Sequence, residues 1–158
     1  PPGISPCRVT TALDMLTEVD AEVSNTDIFV SVAAVADYRP KAHQAQKIKK
    51  HTASFNLELV RNPDILATVA SRSSPPFTVG FAAETQNLKE NALSKLQRKQ
   101  LQMIIANDVS QSGIGFNSDD NAVTLIDRDL TSTHLPQASK QKLARDLISR
   151  LATRLDRH

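Results

Sequence analysis

The sequence predicts a three-layer α/β fold: an open, mainly parallel sheet with helices on both faces and a projecting β arm. Three observations predict it. Apolar runs of strand length, 27–36 (DIFVSVAAVA), 77–83 (FTVGFAA) and 101–106 (LQMIIA), alternate with segments of helical spacing. Those runs are continuous rather than alternating, as expected of strands covered on both faces. Most connections are short, and 158 residues with 40% hydrophobic content suit one core, so a single α/β domain over 1–158 is expected, with 39–60 set apart as basic loop and arm.

Each element has its own justification. Residues 8–10 (RVT) read as the end of a short strand, and Leu13, Leu16, Val19 and Val23 then fall at helical spacing behind a Thr10 or Thr11 cap. The strand 27–36 follows, then the basic loop. Residues 55–60 (FNLELV) alternate as a strand; they follow a loop rather than a crossover helix and are expected to pair in an arm. The segment 62–72 opens Asn-Pro, where Asn62 can cap a helix and Pro63 can occupy its first turn. After 77–83, an amphipathic helix over 87–101 places Leu88, Ala92 and Leu96 on one face. Beyond 101–106 comes a polar, turn-rich stretch, a strand at 122–127 (AVTLID), and a closing helix with a stripe of Leu143, Leu147, Ile148, Leu151 and Leu155.

In such a sheet ligands sit outside the carboxyl ends of the strands, so the residues just after each strand matter most. Asp37, then Glu84 and Thr85, then Asn107 and Asp108 occupy those places. Arg39, Lys41, Lys47, Lys49 and Lys50 gather after the first of these strands, with no acid between Arg39 and Lys50. Two unit charges about 6 Å apart in water repel by only ~0.7 kcal/mol, so a solvated loop tolerates this run; its position makes polyphosphate the anion it suits. Lys95 and Lys99 share a helix face with no acidic helical neighbour.

Several chemistries lack support. The one GxG, at Gly113 and Gly115, does not continue as a dinucleotide fingerprint, and no P-loop exists. His43, His51, His134 and His158 have no metal-ligand spacing, and Cys7 is the only cysteine. With no Trp, one Tyr and a net charge of +2, nucleic acid is a minor alternative. No apolar run reaches membrane-spanning length, and a cytoplasmic setting is expected.

Seven motifs in register, AAVADY (33–38), KIKK (47–50), NPDI (62–65), VGFAAET (79–85), the Lys95/Lys99 helix, IIANDVS (104–110) and GFNSDDNAVTLI (115–126), resemble phosphopantothenoylcysteine synthetase. The resemblance is to the bacterial type, the synthetase half of a bifunctional coenzyme A biosynthesis protein whose other half is a flavin-dependent decarboxylase. It implies a Rossmann-like fold, a homodimer, Mg2+ and CTP-dependent ligation of 4'-phosphopantothenate to cysteine. It also implies that Ser31, Val32 and Ala33 line the cytosine end of a pocket, that Asp37 contacts the nucleotide, and that Lys47 reaches its phosphates as the catalytic cation. By the same resemblance Pro63, Asp64, Ile65 and Leu66 form a phosphate-holding backbone segment, Phe81 touches the nucleotide, and Lys95 and Lys99 meet the phosphate chain.

The implied chemistry begins with attack of the phosphopantothenate carboxylate on the α-phosphorus of CTP, giving an acyl-cytidylate and pyrophosphate. The cysteine amine then attacks the mixed anhydride. The family's opening strand and Gly/Ser-rich turn have no counterpart here, so a truncated domain is expected, and with it an alternative: a CTP-binding or interaction module without catalysis. The metal ligands and the roles of Asn107, Asp108 and Asn117 stay open.

Overall fold

The computed structural model describes residues 3–42, 46, 54–84, 87–108 and 118–155. The expectations placed on Lys47, Lys49, Lys50, His43, His51, Thr85 and Asn117 lie outside these residues.

Helix α1 spans Ala12–Glu22 and starts in a capping box: the Asp14 amide donates to Thr11 Oγ1 at 3.1 Å, and the Thr11 amide donates to Asp14 Oδ2 at 2.9 Å. Thr11 is therefore the cap, not Thr10. Residues 8–10 form no strand; no described neighbour offers their backbone a ladder. After a 3-10 turn at Val23–Asn25, strand β1 covers only Ile28–Ser31. The apolar run expected to stay extended to residue 36 leaves the sheet as a loop.

Strands β2 (Tyr38–Pro40) and β3 (Leu59–Arg61) pair antiparallel as a separate two-stranded arm, with Arg39 opposite Val60. The expected strand 55–60 thus contributes only its end, and the ladder includes Arg61. Helix α2 spans Ile65–Ala70, and its cap is Asp64, whose Oδ1 accepts from the Ala67 amide at 3.1 Å. Asn62 has a different task from the capping expected of it. Its Nδ2 donates to the Ala36 carbonyl at 2.8 Å, its amide donates to the Asp37 carbonyl at 2.8 Å, and its Oδ1 accepts from Arg39 at 3.1 Å. Asn62 fastens the loop after β1 to the chain entering α2.

Strand β4 (Phe77–Glu84), helix α3 (Leu88–Arg98), strand β5 (Met103–Asp108), strands β6 (Asp120–Asp127) and β7 (Ser132–Ser139), and helix α4 (Lys140–Leu155) complete the described elements. The main sheet runs β1-β4-β5-β6-β7, parallel from β1 to β5, antiparallel at both later steps. Every strand therefore points the same way except β6, and β1 forms one border.

Alternation along the strands splits the core by face. Ala82, Ile104, Ala106 and Ile126 pack with Leu66 and Ala70 of α2 and Ala92 and Leu96 of α3. Val79, Met103, Ile105, Val123 and Leu125 pack with Leu143, Leu147 and Leu151 of α4. Helices thus cover both faces. Ile148, expected in the α4 stripe, is 64% exposed, because the buried positions advance in steps of four and it lies one residue off them. Gly80 permits the close approach of α2 to β4: a Cβ there would stand 2.8 Å from Leu66 Cδ2 and 2.9 Å from Leu101 Cδ1.

Candidate functional site

Three chain segments converge at the carboxyl ends of β1 and β4 around a cavity of about 480 Å³. The first is the loop leaving β1, where Ser31, Val32, Ala33 and Asp37 line the wall. The second is the entry to α2, with Pro63, Asp64, Ile65 and Leu66. The third is β4 with the helix that returns beside it, contributing Phe81, Lys95 and Lys99. Every residue that the resemblance assigned to the nucleotide site borders this one cavity, apart from Lys47, which lies outside the described residues; Arg39 and Lys41 of the basic loop do not border it.

The two expected lysines are held differently. Lys95 Nζ donates to the Phe81 carbonyl at 3.2 Å, which sets its ammonium against β4 just beyond the end of β1. Lys99 Nζ lies 2.7 Å from Asp64 Oδ2, and its side chain is only 14% exposed. No acid neutralises Lys99 within its own helix; an acid from α2's cap does so across space. Burial works to raise the Asp64 pKa, yet the hydrogen bonds from Lys99 and the Ala67 amide, with the charges of Lys99 and Arg98, outweigh it and hold the carboxyl below its usual range.

Two features of the site were missed from sequence. Arg98 also lines the cavity, one residue from Lys99 and three from Lys95, and the spacing that singled out the lysines already placed it beside them. Asn62 lines the cavity too, as the clamp described above. The described wall therefore carries Asp37 and Asp64 against Lys95, Arg98 and Lys99.

Asn107, one residue before the end of β5, sits opposite Ala83 but does not line the cavity; its Oδ1 is buried and makes no hydrogen bond. Nothing is described of the side chains of Glu84 and Asp108. Among the described residues no group of three or more His, Cys, Asp or Glu side chains could hold a metal, and no helix is long and apolar enough to cross a membrane.

A mainly parallel α/β sheet with a charged cleft at its strand carboxyl ends, walled by Lys95, Arg98 and Lys99, defines a Rossmann-like protein. The chain belongs to the DNA/pantothenate metabolism flavoprotein C-terminal domain family, whose model matches residues 1–155. It is 49% identical over 147 residues to the coenzyme A biosynthesis bifunctional protein CoaBC of Vibrio cholerae serotype O1, covering 91% of this chain and 37% of that protein. It is 44% identical over 160 residues to the protein of the same name from Escherichia coli strain K12, covering 99% of this chain and 39% of that one. The chain thus spans under two fifths of the length of these curated relatives.

Among solved structures, the C-terminal domain of a coenzyme A biosynthesis bifunctional protein CoaBC superposes with a TM-score of 0.77 at 32% identity, over 99% of this chain and 71% of that one. A Cab2 variant in complex with phosphopantothenate-cysteine shares the fold, with a TM-score of 0.67 at 20% identity over 94% of this chain and 52% of that one.

Proposed function

We propose that this chain binds CTP in the cavity between β1, α2, β4 and α3 and serves the ligation of 4'-phosphopantothenate to cysteine through an acyl-cytidylate. The observation that carries this reading is the convergence of the candidate residues from three separated motifs on one wall. Ser31, Val32 and Ala33 would receive the base, Asp37 and Phe81 would contact the nucleoside, and the segment 63–66 with Lys95 and Lys99 would take the phosphates. Lys47 completes the phosphate site in this proposal.

The chemistry asks mainly for positioning and charge compensation. A carboxylate must approach a triphosphate, both anionic, and negative charge grows on the phosphoryl oxygens as the bond forms. Lysines fixed beforehand meet that charge without reorganising, and the Phe81 carbonyl and Asp64 carboxylate fix two of them. Once the acyl-cytidylate exists the amine needs no nucleophilic side chain, only an aligned approach. Mg2+ is usually held by one or two carboxylates plus substrate phosphates, and Asp37 and Asp64 are the carboxylates of the described wall available to it. When bound, it would neutralise phosphate charge.

The partners in this proposal are CTP, 4'-phosphopantothenate, cysteine and a second copy of the chain, in the cytoplasm, with a flavin-dependent decarboxylase half in the full protein. Thermal melting tests the nucleotide part. CTP with Mg2+ should raise the melting temperature, ATP should do so less, and Lys47→Gln should shrink the effect of CTP. Equal stabilisation by all nucleotides, or none at all, would sink the reading. The alternative left open by the sequence is CTP binding without ligation. Pyrophosphate release in the presence of phosphopantothenate and cysteine separates the two.

A further inference from the structure

We infer that Arg98 is the residue that receives the outer phosphates of the nucleotide, the pair that departs as pyrophosphate; this rests on the nucleotide reading of the cavity given above. The inference starts from an inequality among three cations at the carboxyl end of α3, Lys95 and Arg98 in its last turn and Lys99 at its C-cap. Lys95 is tied to the Phe81 carbonyl, and Lys99 is almost enclosed and already carries a counter-charge in Asp64. Arg98 borders the same cavity, is exposed, and makes no hydrogen bond or ion pair with any described residue, although its charge reaches Asp64.

Charge balance gives the inequality its meaning. Lys99 and Asp64 nearly cancel when seen from the cavity, which leaves Lys95, held by partners of its own, and Arg98, whose side chain has none among the described residues. Of these two cations, Lys95 is anchored inward on β4, which suits the phosphate nearest the reacting centre. Arg98 stands in water at the rim, which suits the end of the ligand that leaves.

The guanidinium adds geometry to charge. Its planar fork presents paired N–H donors that match two oxygens of a phosphate, and solvent exposure leaves both edges available. The plain structural role of a cation here, compensating the carbonyl end of α3, is also open to Arg98. That role predicts a change in the stability of the empty protein and none in phosphate affinity, so the two are separable.

The test is calorimetric titration of the parent chain, Arg98→Gln and Arg98→Lys with CTP, CMP and inorganic pyrophosphate, each with Mg2+. The Gln variant should lose about tenfold or more in affinity for CTP and pyrophosphate, the equivalent of roughly 1.4 kcal/mol. CMP binding should stay within about twofold, because CMP lacks the phosphates that Arg98 receives. The Lys variant should fall between, keeping charge and losing the fork. Pyrophosphate and CTP binding unchanged in the Gln variant overturns the assignment of Arg98 while leaving the nucleotide reading intact. A parallel loss of CMP affinity also overturns it, since the effect would not be confined to the outer phosphates. A parent chain that binds none of the three overturns the nucleotide reading and this inference with it.

Discussion

Asp64 serves two neighbours at once, capping α2 through Ala67 and pairing with Lys99. Its folded pKa lies below the ordinary value of 3.8. The stability it contributes is therefore present above that ordinary value and is lost as pH falls through the depressed one. Asn in its place keeps a capping oxygen and removes the charge. The melting temperatures of the parent and Asp64→Asn should differ most near neutrality and converge as pH falls below 3.8 through the depressed value. A gap that persists unchanged to pH 2 would show that the charge does not cause it. Gly80 makes a second residue-scale case. Val at this position drives branched methyls toward Leu66 and Leu101, and the fold should lose about 1–3 kcal/mol, read by denaturant titration.

At the scale of the element, α4 offers a contrast. Leu151 is 2% exposed and Ile148 is 64% exposed on the same helix. Leu151→Ala should cost about 2–5 kcal/mol, whereas Ile148→Ala should fall within about 0.5 kcal/mol. A similar loss from both would mean that another body covers Ile148. The same helix shows what was legible from sequence. Period and composition revealed the stripe but could not say which of its members turned inward, because that depends on where β5 to β7 lie. Strands β4 and β5 were legible because both faces are covered and their residues are mostly apolar up to the polar carboxyl ends. Strand β7 was not read at all: within STHLPQAS only Leu135 is buried and Pro136 interrupts the pattern, so an edge strand held by backbone pairing left no hydrophobic signature. Asn62 and Asp64 exchanged roles for a similar reason. Both are good caps, and only the path of the β1 loop decides which side chain faces the helix.

For the whole molecule, the site was legible as a set of strand ends, since an α/β sheet gathers those ends along one side whatever the loops do. Arg98 and the Lys99 counter-charge were not, because each depends on how α2 and α3 are placed relative to one another. The assembly is a proposal at this scale. The arm leaves Tyr38, Phe55, Leu57 and Leu59 between 51% and 64% exposed, a group of large apolar side chains that a second copy would cover. Sedimentation at micromolar concentration should give a dimer, and Leu57→Glu should shift it toward monomer. A parent chain that sediments only as monomer would refute the pairing.

The cavity opens beside β1, a four-residue border strand whose Val30 is 36% exposed, while β5 lies between two neighbours. Deuterium should therefore enter the backbone amides of Phe29 to Ser31 long before those of Ile104 to Ala106, and bound nucleotide should slow the first group far more than the second. Occupancy would then be written in the most labile seam of the sheet, where a small gain in local order is easiest to detect.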